Sequence, residues 1–420
     1  MKLSIALLFT TLSMPLWADI QQDIIDIEGQ MLEWRRHLHQ NPELSNREFN
    51  TASYIEKHLR ALGLEVKTGI AFTGVVAVLK GDKPGPILAL RADMDALPVT
   101  EQVDLSFVSK ATAEYRGETV GVMHACGHDT HVAILMATAE VFAKNKADLE
   151  GTLMFIFQPA EEGAPGDEDG GAELMLAEGL FNEMKPDAAF GLHVWSNVNS
   201  GIAAFRSGPS MAAVDDFELK VIGKQTHGSA PWNGIDPIVT AAQIINSVQT
   251  IVSRRTAITK APAVVSFGAI KGGIRNNIIP DDVTMVGTIR NFDMDIRDDI
   301  HRHLGNIISH VAQANEADFE FKINEGYPVT VNDPELAIKM LPSLHKVFGE
   351  DNVIDPGLIT GAEDFSYFAN EVPGMFFFMG VTPVDQNAST APSNHSPHFF
   401  VDEPALLNGV KAFVQLVQDY

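Results

Sequence analysis

The stretch GVMHACGHDTH, residues 121–131, holds the chain's one cysteine, Cys126, among three histidines and an aspartate. A cysteine in this setting has three open roles: a buried apolar side chain, a nucleophile activated at a helix N-terminus between His124 and His128, or a deprotonated metal ligand. Three further stretches gather residues that bind cations or move protons: RADMDALP (91–98), QPAEEG (158–163) and GLHVW (191–195). Each is weak alone, because an isolated histidine such as His193 commonly serves structure and paired glutamates commonly face solvent. Together they supply thiolate, imidazole and carboxylate, the ligand set of zinc and its first-row neighbours. Cys126 and His128 stand two apart at a glycine-bearing helix entrance, where both can face one point. Adjacent Glu161 and Glu162 allow one carboxylate to ligate while the other takes a proton from water, and spacing alone does not assign the two roles. SNHSPHFFVDE carries His395 and His398 on a loop entering the last helix, which can close the site from the other side.

The elements that must position these residues are legible as patterns. Helical spacing runs through residues 19–62, with stops at Pro42 and Gly63. Strands are expected over 63–70, over 73–81 and at the apolar start of GPILALRADMDALP, where PILAL suits a strand buried on both faces. A helix is expected from Asp129 to Asn145, with Asp129 as its cap. Two more buried strands, EGTLMFIFQPAEEG and DAAFGLHVWSN, carry their polar residues at their C-terminal ends, the edge where α/β sheets gather ligands. Residues 214–325 then read strand, helix, two strands, helix, strand. That βαββαβ order is ferredoxin-like and, at about 110 residues, self-sufficient. The segment DPELAIKMLPSLHKVFG (333–349), a strand near GMFFFMG and a closing helix over 402–420 return to the α/β style of the first half. The expected organisation is an α/β domain, 19–209 and 326–420, interrupted by an inserted domain, 210–325.

A chain of 420 residues with 45% hydrophobic and 20% charged residues has ample material for two cores. Its formal charge of −25 leaves no basic surplus for nucleic acid or an anionic membrane, so small molecules or short peptides are the expected partners. The N-terminal MKLSIALLFTTLSMPLWA reads as a secretory signal peptide, residues 1–18, too short and too early to be a convincing membrane span. Its removal leaves 55 acidic and 29 basic side chains, a net of −26. The expected destination is the periplasm or the medium, and a single thiol cannot form an internal disulfide there.

Taken in order, RADMDALP, HACGHDTH, QPAEEG, GLHVW, HGSAPWNGIDP, NNIIPD with GTIR, GAEDFSYF and HSPHF span the chain from about Ile24 to Val417. The set resembles the M20 metallopeptidase and amidohydrolase family, in the branch of hippurate hydrolases, N-acyl-amino-acid amidohydrolases and auxin-conjugate hydrolases. The resemblance implies a zinc-peptidase-like α/β catalytic domain with an inserted ferredoxin-like lid that also dimerises the protein. It implies two divalent ions per subunit, zinc, manganese, cobalt or nickel. Cys126 would bridge them and His128, Glu162, His193 and His395 would complete the shells, with Glu161 as general base. Asp95 aligns with the carboxylate beside a family metal-binding histidine, whose own place is taken by Asp93; His128 would fill that vacancy. His395 rather than His398 aligns with the terminal ligand. In the lid, His227 matches a histidine that reaches the neighbouring subunit's site to stabilise an oxyanion, and Asn277 matches an asparagine near substrate.

The reaction so implied is hydrolysis of the amide of an N-acyl amino acid of hippurate or N-acetyl type, with Arg275 and Arg290 as candidates to meet the substrate carboxylate. Three alternatives accompany it: an exported dipeptidase or carboxypeptidase with the same machinery, a cysteine hydrolase built on Cys126, and a non-catalytic metal-binding protein.

Overall fold

Apolar runs buried on both faces account for the central layer of the computed structural model, which describes residues 17–166 and 168–420. The expected signal peptide lies, apart from its last two residues, outside the described residues. In strand Glu150–Gln158, Phe155 and Phe157 enter one core while Met154 and Ile156 enter another on the opposite face. Strand Gly374–Thr382 does the same with Phe377 against Phe376 and Phe378. Each phenylalanine so buried contributes about 1.5–3 kcal/mol. Successive side chains point to opposite faces, so a sheet made of such runs must be covered on both.

Strand Lys83–Asp93 lies parallel between Glu150–Gln158 and Ala188–Asn199, and Gly374–Thr382 runs parallel on the far side of the latter. The antiparallel pair Glu65–Ile70 and Gly74–Lys80 extends one edge, and Ala203–Ala204 with Val353–Ile354 extends the other, making eight strands. The parallel centre directs the ends of Lys83–Asp93, Glu150–Gln158 and Ala188–Asn199 to one edge, where the chemical motifs begin. Helices Glu28–Gln40, His128–Lys144, Pro334–Phe348 and Leu406–Asp419 fill one face. In the second of these, every side chain from His128 to Ala139 is buried, which makes it a central helix.

The expected capping role of Asp129 is corrected. The cap position belongs to Gly127, left-handed at φ 96°, without a side-chain hydrogen bond. Asp129 is held inside the first turn, its Oδ2 2.9 Å from His39 Nδ1 and 3.0 Å from Arg35 Nε. Glycine is needed at 127 because a Cβ there would lie 2.4 Å from Val194 Cγ2 and the backbone is left-handed.

The second sheet has four antiparallel strands in the order Ala263–Gly272, Asp282–Asn291, Ala213–Ile222, Asp318–Glu325. Helices Pro237–Thr250 and Met294–Ala314 pack on it, giving the βαββαβ arrangement expected from the sequence. Asp236 caps the first of these through Ile238 N and Val239 N, and Asp293 caps the second through Ile296 N. The last turn of the first helix, Ile251–Arg255, widens into a π-helix. Strands Gly208–Met211 and Thr330–Asn332 pair with each other, so the chain leaves and re-enters the larger unit through one short ladder. Among the described residues, no helix is long and apolar enough to cross a membrane.

Candidate metal centre

Cys126 lies where the helix that Gly127 starts meets the middle of strand Ala188–Asn199, at His193 and Val194. Its Sγ is 3.3 Å from His193 Nε2 and 3.3 Å from His395 Nε2. His193 donates Nδ1–H to the Val194 carbonyl at 2.7 Å, so its Nε2 presents a lone pair to the sulfur. His395 adopts φ 70°, a conformation that non-glycine residues rarely take, and its N–H is tied to the Ala125 carbonyl at 2.8 Å. Its Nε2 lies 3.1 Å from Glu162 Oε1.

His128 projects into the same space. Its Nδ1 is 3.2 Å from Asp95 Oδ1, and its Nε2 is 3.9 Å from Glu161 Oε2 and 4.0 Å from Glu162 Oε1. His128 Nε2 is buried without a hydrogen-bond partner, and Glu162 Oε1 is met only by His395 Nε2. Buried polar atoms are rarely left unpaired, and here they converge with a thiol and two imidazole nitrogens. Donor atoms of Cys126, His128 and Glu162 fall within 4.8 Å of one another, as do those of Asp93, His128, His131 and His193. The donor set fits two clustered divalent cations. Soft thiolate and imidazole suit zinc, and the carboxylates widen the choice to its neighbours.

Within the second group, His131 is already occupied. The Val194 N–H donates to its Nε2 at 2.9 Å, so its Nδ1–H donates to Asp93 Oδ1 at 2.5 Å. Asp93 Oδ2 in turn accepts from Arg91 Nη1 at 2.6 Å. His131 and Asp93 therefore buttress the centre, leaving His128 and His193 with donors facing inward.

Beneath the donors lies a buried charge network. Arg91, fully enclosed, donates to Asp93, Glu363 Oε1 at 2.9 Å, Asp364 Oδ1 at 2.8 Å and Gln158 Oε1 at 2.8 Å. Asp95 accepts from Ser45 Oγ and from the backbone N–H groups of both Glu161 and Glu162, which fixes the QPAEEG turn. Tyr327, next to the re-entry ladder, donates its hydroxyl to the Glu161 carbonyl at 2.7 Å. Arg91, Glu363, Asp364 and Tyr327 had no role in the sequence reading, although GAEDFSYF and RADMDALP contain three of them. An arginine closing the apolar run PILAL was the available signal, since a cation there must be buried and paired.

These contacts shift proton affinities in opposite directions. Burial pushes the Glu161 carboxyl well above its usual range, and Glu363 and Glu162 push it further. Burial resists a charge on His128, but Asp93 and Asp95 outweigh it and raise the imidazole to about 10. Burial, with Glu162 and Glu161, pushes the Cys126 thiol well up, so without a cation it stays protonated and is a poor nucleophile. Bound divalent cations would reverse each of these effects on the ligating groups.

Glu161, Glu162, Cys126, His193 and His395 line a cavity of about 400 Å³, one wall of which is Trp195, Phe378, Met211 and Ile359. The structure thus brings together Cys126, His128, Glu161, Glu162, His193 and His395. His398 is exposed on the same loop, where its N–H donates to Ser396 Oγ. The lid residues lie elsewhere within the one chain. His227 is exposed, its Nδ1 accepting from Ser229 N at 3.0 Å. Asn277, whose carbonyl accepts from Gly228 N, keeps a buried side-chain Oδ1 without a partner. Arg275 is exposed, and Arg290 is tied within its own sheet to Thr288 Oγ1 and the Ile289 carbonyl.

Comparison with known proteins agrees with this geometry. The model of peptidase family M20/M25/M40 matches residues 89–419. The chain is 42% identical over 405 residues to thermostable carboxypeptidase 2 of Saccharolobus solfataricus, covering 96% of this chain and 98% of that protein. It is 37% identical to an N-acetyl-L-cysteine deacetylase of Bacillus subtilis, covering 91% and 86% of the two chains. The crystal structure of Bacillus subtilis YXEP protein, a dinuclear metal binding peptidase from the M20 family, superposes with a TM-score of 0.76 at 33% identity, covering 94% and 98%.

Proposed function

The chain belongs to peptidase family M20/M25/M40, and from that premise we propose that it is a metal-dependent amidohydrolase that cleaves N-acyl amino acids by an activated water. The observation that carries this reading is the convergence of Cys126, His193, His395, His128 and Glu162 on one point beside Glu161, at the mouth of a substrate-sized cavity. Cys126, His128, Glu162, His193 and His395 would hold two divalent cations. Bound there, the cations supply polarisation of the amide carbonyl and a water acidified toward neutrality. Glu161 takes the proton from that water and returns it to the leaving nitrogen, a role worth about 100 to 10,000-fold in rate.

The assignment of 19–209 and 326–420 to catalysis and 210–325 to a lid follows the chain's path through the paired strands Gly208–Met211 and Thr330–Asn332. His227 and Asn277 would complete the site of a partner subunit, His227 by stabilising the oxyanion. Support for a homodimer comes from the lid's edge strand Ala263–Gly272, with exposed Val264 and Ile270, and from exposed Ile238 and Val239 on the neighbouring helix. The leader, residues 1–18, would send the protein to the periplasm or the medium.

A second reading, carboxypeptidase action on short peptides, is favoured by the name of the 42% identical relative. A cysteine hydrolase is disfavoured by the raised proton affinity of Cys126, and a pure metal binder leaves the free Glu161 without work. The deciding experiment counts metal per chain and follows release of free amino acid from N-acyl amino acids and dipeptides, before chelation, after it and on add-back. About two ions per chain and chelator-sensitive N-acyl hydrolysis are expected. Turnover by metal-free protein, abolished by a thiol reagent, would overturn the reading.

A further inference from the structure

Three consecutive backbone N–H groups shape the turn that presents Glu161 and Glu162. Ala160 N donates to Glu48 Oε1 at 3.0 Å, Glu161 N to Asp95 Oδ1 at 3.1 Å and Glu162 N to Asp95 Oδ2 at 3.0 Å. Successive N–H groups around a left-handed residue form a concave nest for an anion, and here two buried acids of the chain itself fill it. Ala160 is the left-handed residue, at φ 52°, buried, with Gly163 N closing the turn on its carbonyl at 3.3 Å. An alanine in that conformation is strained, so the turn persists only while its partners hold it.

Glu48 stands at the start of helix Phe49–Ala61, where an acidic side chain ordinarily accepts from the first turn. It makes no such bond, because Glu43 takes Asn50 N at 3.2 Å and Thr51 N at 2.8 Å. Glu48 is instead fully buried, and its Oε2 accepts at 2.7 Å from the hydroxyl of Thr73, in the turn between strands Glu65–Ile70 and Gly74–Lys80. Burial and the nearby Asp95 push its carboxyl up to about 8, so the fold keeps this acid against a penalty. The same loop gives the Ser45 hydroxyl to Asp95 Oδ2 at 2.7 Å, so one segment braces both acceptors of the nest.

Resting on the amidohydrolase reading, we infer that Glu48 is a positioning residue: through Ala160 N it holds the strained turn that aims Glu161, and Thr73 fixes the carboxyl that does so. Glu48 does not line the cavity beside the donors, so it acts through the backbone and not on the substrate. Without its acceptor, the peptide between Pro159 and Ala160 is free to turn and Ala160 leaves the left-handed region. The base that follows then moves out of line, and a misplacement of about 1 Å is enough to cost about 100-fold in rate.

The test follows kcat and KM for an N-acyl amino acid on metal-loaded protein, together with amide hydrogen exchange over residues 158–163. Glu48→Ala should lower kcat about 10- to 100-fold and speed exchange over 158–163, with KM and metal content at saturating ion little changed. Glu48→Gln keeps an acceptor for Ala160 N and should recover most of that loss. Ala160→Gly removes the strain, so the loss caused by Glu48→Ala should be smaller in that background by about 3-fold or more. A general loosening of the core would instead lower kcat equally in both backgrounds. Should Glu48→Ala fail to fold, Thr73→Val keeps the side-chain shape, removes one hydroxyl and should lower kcat about 2- to 10-fold with faster exchange. Unchanged exchange in Glu48→Ala or in Thr73→Val, or equal losses in the two backgrounds, would overturn the inference and leave the amidohydrolase reading standing. A wild type that hydrolyses no N-acyl amino acid would overturn that reading, and the exchange rates would still decide whether Glu48 holds the turn.

Discussion

Two buried charge clusters, one in each sheet unit, are built from the same residue types and behave in opposite ways. In the lid, Asp215 meets Arg297 and His301 and accepts from Gly326 N. Burial alone would raise its carboxyl, but His301 and Arg297 bring it down to about 2. At the sheet edge of the larger unit, Arg91 is shared among Asp93, Glu363 and Asp364, and burial keeps Glu363 at about 8 and Asp364 at about 6. One acid has more partners than it needs, whereas several acids at the other cluster have too few. The first is a structural knot, and the second is a site whose charge is completed by something brought in from outside.

The largest expected effect tests that second half. Glu161→Gln should retain metal and lose about 100 to 10,000-fold in kcat, as removal of a proton-transfer group does. Cys126→Ser should lose metal and turnover together. Mixing inactive Glu161→Gln with inactive His227→Ala should restore about a quarter of wild-type activity if subunits pair at random and each mixed dimer has one whole site. Near-normal turnover by Glu161→Gln would remove the distinction between base and ligand.

Stability against pH sharpens the same comparison. Asp215 in the folded lid titrates near 2, below its unfolded value of about 3.8. Its contribution is therefore present above pH 4 and is lost as pH falls through about 2. Asp215→Asn should cost about 1–2 kcal/mol in urea unfolding at neutral pH, with the gap from wild type narrowing below pH 4. Stripped of cations, the wild type should show the reverse sign at the other cluster. Glu363, held at about 8, favours the folded state below its unfolded value, and that benefit is lost as pH rises through 8. A metal-free protein that grows more stable from pH 5 to pH 8 would contradict the contrast.

The lid was the more legible region because its order arises from local patterns. Alternation in Ala213–Ile222 and capping aspartates at 236 and 293 place its elements within a residue or two. The candidate donors were legible because Cys126 and His128 stand at a helix entrance, Glu162 follows a strand end and His193 lies in a buried strand, each within a short motif. What supports them was not. Arg91 meets Glu363 across 272 residues, a separation that no local pattern records. Asp129 looked like a cap because acidic residues at helix starts usually are, but partners from Glu28–Gln40 claim it instead. The lid histidine, His227, is exposed and does not line the donor cavity within one chain, in keeping with the proposal that it completes the site of another subunit.

Tyr327 joins the two regions and carries the smallest expected effect. It lies just beyond the lid's last strand, and its backbone carbonyl accepts from Val214 N while its hydroxyl reaches the Glu161 carbonyl. This bond ties the segment that follows the lid's last strand to the turn that carries Glu161. Tyr327→Phe keeps the ring and removes one hydrogen bond worth about 0.5–1.5 kcal/mol, which corresponds to a loss of roughly 2- to 10-fold. If the bond orients Glu161, the loss should fall on kcat with KM and metal content little changed. A rise in KM alone would instead place Tyr327 on the cavity wall, lining it beside Ile359 without directing the base.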